Sequence, residues 1–170
     1  MPQIFPIDFT YCQKIGEKVE VKEENYGNVF FGSLTYMEDN PVSQKDDLIS
    51  VCYLIIYCLN LSNLPMLEEH MLKYDEETLD SVPIEEQMGR LKSYKKRMSL
   101  SILIKAIKFK YLPVEQNPIY TKKNYLNYLK KLLELFCDHI LLLEACSPPD
   151  YDQLVEMLEL MQNISGYYPE

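Results

Sequence analysis

The run DDLISVCYLIIYCL, at residues 46–59, is the feature from which the architecture of this chain can be inferred. After its first turn the run is apolar on every face, whereas a surface helix of a globular protein keeps one polar side. A helix of this composition is normally buried on all sides. The pattern therefore predicts a central helix around which the others pack. Ser43, with Asp46 three positions later, is predicted to cap its N-terminus.

Helical spacing and end signals predict four more helices after this run. They span 84–97 after Pro83, 99–112 with Ser99 as cap, 124–145 before Ser147-Pro148-Pro149, and 150–163 with Asp150 as cap. Ahead of the run, apolar residues predict a short strand at 3–9 and a weaker one at 19–21. The chain thus reads as one mainly α domain over 1–170, with a strand-and-loop part at 1–45 and a helical part at 46–170.

Composition and net charge limit the classes of protein to which this chain is expected to belong. The chain has 170 residues, of which 47% are hydrophobic, and this is enough for a real core. A net charge of −9 disfavours a sequence-independent nucleic-acid binder, which needs lysine and arginine to displace counterions. The N-terminus lacks the features of a signal peptide, and the apolar run is too short to span a bilayer. We therefore expect an intracellular, cytoplasmic protein without membrane insertion.

Few polar or reactive residues form a pattern that is typical of a catalytic or metal-binding site. The five cysteines form no C-x-x-C pair, and three of them lie within apolar helical runs; they are expected to be reduced core residues and not metal ligands or a disulfide framework. His70 and His139 lack the spacing of a metal site. The basic run KSYKKR at 92–97 is predicted to be a solvated helix face, with a partner contact as the alternative.

Several motifs together resemble the second half of a protein kinase of the casein kinase I group, which also includes the vaccinia-related and tau-tubulin kinases. That group has I-D-F-G at the start of the activation segment, then G-T-x-x-Y-x-S-x-N, a basic pair before D-D-L, a helix ending in L-P-W, and K-P-D-Y-x-x-L at the last helix. The matching residues here are Ile7-Asp8-Phe9, Gly32-Ser33 with Tyr36 and Asn40, Lys45-Asp46-Asp47-Leu48, Leu64-Pro65, and Pro149-Asp150-Tyr151 with Leu154. The resemblance covers nearly the whole chain and implies a truncated kinase C-lobe with an activation-segment-like start.

The departures from that family imply a loss of catalysis. Phosphoryl transfer needs a Gly-rich loop, a strand lysine, a catalytic loop and the D-F-G aspartate, and the residues before Asp8 leave no room for the first three. Thr10 stands in place of the D-F-G glycine, and Met66 in place of the tryptophan. Gln44-Lys45 replaces the basic pair, which puts anion binding there in doubt. We expect no enzymatic activity, no cofactor and no metal, with Asp8 a magnesium ligand only if another chain supplies the missing half.

The resemblance also implies structural roles and an unpaired surface. Asp47 matches a buried aspartate that accepts N–H bonds from the catalytic loop, and here it should find another donor or cap its own helix. Gly32, Pro149, Asp150 and Tyr151 are expected to be structural. The helix that covers the central helix in a complete lobe has no counterpart, so a partner or the long helix at 124–145 should cover the face formed by Val51, Leu54, Ile55 and Cys58.

The function expected from this resemblance is a non-catalytic, pseudokinase-like scaffold that binds other proteins in a larger assembly. Cytoskeletal, ciliary and organellar complexes are all compatible with it, and it needs neither nucleic acid nor a small-molecule substrate. One alternative is half of a split casein kinase I-like Ser/Thr kinase, completed by another chain. A second is an unrelated helical adaptor.

Overall fold

A computed structural model describes residues 30–38, 40–59, 64, 82–106, 122–145 and 147–165. Over these ranges the chain is mainly helical, as the sequence predicts, and contains no strand. Its six helices are α1 Leu34–Met37, α2 Gln44–Leu59, α3 Ile84–Arg97, α4 Leu100–Ala106, α5 Lys122–Leu142 and α6 Tyr151–Ser165. The strands predicted at 3–9 and 19–21 lie outside the described residues, as does the part of the third predicted helix at 107–112.

The end signals in the sequence give most of the helix boundaries correctly. The helix predicted at 84–97 has those bounds, and the start of α4 is fixed by Ser99, whose Oγ accepts from the backbone N–H of Ile102 at 3.4 Å. The helix predicted at 124–145 starts two residues earlier and ends three residues earlier. The short α1 is a helix that the sequence reading missed. The Ser33 hydroxyl accepts from the backbone N–H of Tyr36 at 3.0 Å and so caps it.

The core lies where α2, α4 and α5 meet. Helix α5 packs against α2, α4 and α6, whereas α1 packs against α3. The largest side chains with almost no exposure come from these helices and from Leu64, which lies outside the helices: Phe136, Ile56, Leu64, Leu91, Leu103, Ile104, Leu133 and Ile140. Burial of each large aliphatic side chain contributes about 1.5–3 kcal/mol, so this cluster supplies most of the driving force for folding. No described helix is long and apolar enough to cross a membrane.

Helix α2 is buried on one face only, and the prediction of burial on all sides is wrong. Cys52, Tyr53 and Ile56 are buried, whereas Val51 and Leu54 on the opposite face are exposed. Helices α4 and α5 both pack on α2, and the contact of Cys137 with Cys52 places α5 on the buried face. The long helix α5 therefore does not cover the outward face of α2, although the sequence raised that possibility.

Candidate functional site

The outward face of α2 exposes a row of apolar side chains. Val51 is 38% exposed and Leu54 is 48% exposed, and Cys58 is also exposed. The residues follow one another at three- and four-residue intervals, so they share one face of the helix. Ile55, beside them, is half-buried and packs against the core. The structure thus brings the four predicted contact residues together on one helix, three exposed and one at the edge.

At its N-terminal end this outward face carries a single charge, that of Asp47. The Asp47 side chain is exposed. Partial burial and the neighbouring Asp46 carboxylate raise the pKa of Asp47 above its ordinary value. The surface is therefore an apolar stripe with one carboxylate at its start. We call Asp47, Val51, Leu54 and Cys58 the α2 stripe.

The aspartate that caps α2 is Asp46, which corrects the expectation that Asp47 is buried or caps the helix. One carboxylate oxygen of Asp46, Oδ2, accepts from the backbone N–H of Ser43 at 2.8 Å and from its hydroxyl at 3.0 Å. The bond from the Ser43 N–H to the Asp46 carboxylate is one half of a capping box, and Asp46 is buried in making it. Asp46 takes part in the cap as predicted. The Ser43 hydroxyl donates to that carboxylate and does not itself accept from a helix amide. Asp47 is left facing outward, where it adds charge to the α2 stripe.

Lys45 joins the start of α2 to the end of α5. Its Nζ donates to the carbonyl oxygens of Leu141 at 2.6 Å and Leu143 at 2.8 Å. Carbonyls at a helix C-terminus have no partner within their own helix, and a cation there is also favoured by the helix dipole. The Lys45 ammonium is thus engaged by backbone acceptors at the end of α5.

Lys95 is a buried cation that the sequence reading missed. Its side chain is only 5% exposed, its Nζ donates to the Gly32 carbonyl, and it lies 4.4 Å from the centroid of the Tyr53 ring. Burial lowers the pKa of Lys95 from 10.5 to about 7. The basic run 92–97 is therefore not wholly a solvated face. The signal was present in the spacing, because Lys95 follows the buried Leu91 by four residues and so lies on the same face.

Gly32 has a structural role, because its carbonyl accepts the hydrogen bond from Lys95. The Gly32 carbonyl ties the segment before α1 to α3, and Tyr53 brings α2 to the same point. A buried lysine with a lowered pKa is found at catalytic sites as well as in structural networks. The contacts of Lys95 with the Gly32 carbonyl and the Tyr53 ring fasten the segment before α1, α2 and α3 together.

Two cysteine thiols meet in the core at the contact of α2 with α5. Cys52 and Cys137 are both buried and reduced, as expected from their apolar runs, whereas Cys58 is reduced but exposed. A hydrogen bond between the Cys52 and Cys137 thiols, together with burial, raises the pKa of Cys52 above its ordinary value. Both residues are core side chains, and the raised pKa of Cys52 disfavours its thiolate, which is the reactive form. Cys12 and Cys146 lie outside the described residues.

The last helix begins as the sequence predicts. The Asp150 carboxylate accepts from the backbone N–H of Gln153 at 3.0 Å, and the Asp150 carbonyl accepts from that of Leu154 at 3.1 Å. Pro149 is buried beside this cap, whereas Tyr151 is about half exposed. Asp150 therefore fixes the start of α6.

No group of three or more metal-binding side chains comes together among the described residues. Asp8, the one residue that the kinase resemblance connects with magnesium, lies outside them, as does His70. The buried Nε2 atom of His139 has no hydrogen-bond partner within the described part of the chain. The described residues thus form a helical body with an exposed apolar stripe.

Comparisons with protein-family models, with curated proteins and with solved structures found no match to this chain. The resemblance to the casein kinase I group therefore rests on its sequence motifs and stays a prediction.

Proposed function

We propose that this chain is a non-catalytic interaction subunit, a pseudokinase-like scaffold that binds another protein through the α2 stripe. The observation that carries this proposal is the exposure of Val51, Leu54 and Cys58 on the outermost face of the helix that also supplies the core. Isolated exposed apolar residues are ordinary on a protein surface. A row of three on one helix face, interrupted by no charge, is typical of a docking site.

Helix α6 provides an internal comparison. It also packs one apolar face on the body, through Leu154 and Met161. Its outward face carries Asp152, Glu156 and Glu159, which are exposed carboxylates of the kind expected on a solvated helix. Helix α6 also exposes Tyr151, Val155 and Leu160, but carboxylates lie between them. The α2 stripe carries no charge after Asp47. This uninterrupted apolar row is what favours a partner on α2.

The partner's chemistry follows from the stripe. An apolar helix with side chains at i, i+3 and i+7 spacing would fit over Val51, Leu54 and Cys58. The carboxylate of Asp47 lies at one end of the row, so the partner should place a lysine or arginine there. Such a rim charge sets the orientation and the association rate more than the affinity.

The deciding experiment compares the variants L54D and V155D in native co-purification followed by mass spectrometry. Both variants add a carboxylate in place of an apolar residue that is about half exposed, one on the α2 stripe and one on α6. The partner that the unaltered chain retains should be lost from L54D and kept by V155D. With the purified partner, affinity for L54D should fall about 100-fold, because apolar contact is lost and a carboxylate is buried unpaired.

Circular dichroism and a thermal melt serve as the folding control, because both substitutions lie on exposed positions and should leave the helices intact. If L54D and V155D retain the partner equally well, the α2 stripe is not the docking site. A chain that is monodisperse in dilute solution and binds no hydrophobic dye would also contradict the proposal, because the stripe would then attract nothing apolar.

The split-kinase alternative rests on Ile7-Asp8-Phe9 in the sequence. It predicts that ATP with Mg²⁺ raises the melting temperature of the chain together with its co-purifying partner, since ligand that binds only the folded state stabilises it. The absence of any nucleotide-dependent shift, alone and with the partner, removes this alternative.

A further inference from the structure

A second surface, on the flank of α5, has a regular spacing that neither the fold nor the α2 stripe explains. Tyr128 is 60% exposed, Leu135 is 47% exposed and Leu142 is 84% exposed. These residues are seven positions apart, so they lie almost in line along about 21 Å of the helix. An exposed row of this length is unexpected on a helix whose other face is fully used in the core.

Two half-buried residues, Leu132 and His139, complete the row. With them the spacing along α5 alternates between four and three residues, from Tyr128 to Leu142. An average of 3.5 residues between turns is the repeat by which one helix packs along another in a coiled coil. We call these five residues the α5 seam.

When the seam is reversed about Leu135, its outer members exchange places, and Leu132 and His139 exchange with an offset of one residue. Tyr128 and Leu142 are each seven residues from Leu135, on opposite sides of it. If two copies of α5 lie antiparallel about a two-fold axis at Leu135, Leu135 meets its own copy and Tyr128 meets Leu142 of the other copy. An interface of this symmetry is self-complementary, as the two-fold of a homodimer requires.

The charged residues beside the seam also fit an antiparallel pair, with the same offset of one residue. Lys131 lies four residues before Leu135 and Asp138 lies three residues after it, on the same flank of the helix. In the antiparallel pair, Lys131 of each copy therefore approaches Asp138 of the other copy. Within its own chain Lys131 is 3.5 Å from Glu134 in an exposed ion pair, a contact weak enough to be exchanged.

We propose that the α5 seam binds a second copy of this chain, as an antiparallel two-fold helix pair centred on Leu135. Because the seam uses only one helix from each copy, we expect a weak dimer that forms at micromolar or higher concentration. This proposal does not depend on the α2 stripe, which lies on a different helix.

Sedimentation equilibrium across a concentration series tests the dimer first. The work is done at about 0.15 M salt, where repulsion between copies of net charge −9 is screened beyond ~8 Å. The unaltered chain should dimerise, and L135D should weaken the dimer at least tenfold, because it brings two carboxylates together at the axis. The variant V155D, on the outward side of α6, should leave the dimer unchanged. A chain that stays monomeric throughout the series overturns the proposal.

A charge exchange tests the antiparallel direction. The single variants K131E and D138K each replace two favourable approaches across the axis by repulsive ones, and each should weaken the dimer several-fold. The double variant K131E/D138K restores opposite charges and should restore the affinity. If the double variant is no tighter than the singles, the antiparallel arrangement is wrong.

A disulfide at the axis gives a readout that a folding defect does not imitate. In a background with Cys12, Cys58 and Cys146 changed to serine, L135C should form a covalent dimer when a peroxide oxidises the two facing thiols, with two protons and two electrons passing to the peroxide to give water. V155C in the same background is the matched control and should stay monomeric. Equal cross-linking of both variants, or of neither, contradicts a two-fold axis at Leu135.

Discussion

The buried ammonium of Lys95 should make the stability of this chain depend on pH. Its pKa falls from 10.5 to about 7 on folding. Between pH 7 and pH 10.5, Lys95 is mostly protonated in the unfolded chain and mostly deprotonated in the folded chain. The unfolded state therefore binds more protons, and the free energy of unfolding rises as the pH rises from 7 towards 10.5.

The size of the effect follows from the two pKa values. One pKa unit corresponds to 1.36 kcal/mol, and Lys95 is half protonated in the folded chain at pH 7. Between pH 7 and pH 9 the free energy of unfolding should therefore increase by about 2 kcal/mol. The bond to the Gly32 carbonyl and the contact with the Tyr53 ring both favour the charged form, so this value is an upper bound.

The test is urea unfolding followed by circular dichroism at several pH values, for the unaltered chain and the variant K95M. Methionine has a similar length and no charge, so K95M should remove the pH-dependent increment and should be more stable than the unaltered chain at pH 7. The neighbouring variant K96M is the matched control, because Lys96 is exposed and pairs with Glu38 at 2.7 Å on the surface. It should keep the slope. If K95M and the unaltered chain show the same slope between pH 7 and pH 9, Lys95 is not buried as a shifted cation.

Three further perturbations test contacts of α2. The variant K45M should lower the free energy of unfolding by about 1–2 kcal/mol, measured by urea unfolding, because two carbonyls at the end of α5 lose a charged donor. D46A should cost about 1 kcal/mol through the lost cap, whereas D47A should cost about 0.5 kcal/mol or less; equal effects in the same assay would contradict the assignment of the cap to Asp46. Brief alkylation of the folded chain, mapped by mass spectrometry, should label Cys58 and spare Cys52, because only the former is exposed.

The sequence predicted the helices well because their end signals are local. Asp46, Ser99 and Asp150 each cap a helix with a side-chain oxygen that accepts from an amide three residues away, a separation that the sequence spacing reveals. It missed α1 because a four-residue helix has no full period of apolar residues from which to be recognised. The predicted strand at 3–9 and Asp8 fall outside the described residues and stay predictions.

The burial of α2 and of Lys95 could not be predicted with the same security, because both depend on which elements are neighbours. An apolar run gives no indication of which of its faces neighbouring helices will cover. In this structure α5 packs on the side of α2 that carries Cys52. The position of Lys95 could be placed on the face of Leu91, but its partner, the Gly32 carbonyl, is 63 residues away in sequence. Pairings over such separations are set by the tertiary arrangement and leave no periodic pattern.

Truncation to alanine separates the two faces of α2 and bears directly on the α2 stripe. Ile56 is fully buried, so I56A should cost about 2–5 kcal/mol through lost contacts and a cavity. Leu54 is 48% exposed, and alanine has the higher helix propensity, so L54A should cost less than about 1 kcal/mol in the isolated chain. If so, the fold of the single chain gains little from Leu54, and the apolar residue at this outward position has to be explained by a contact outside the chain. Equal losses for L54A and I56A in urea unfolding would instead make Leu54 part of the chain's own core, and the docking role of the stripe would fail.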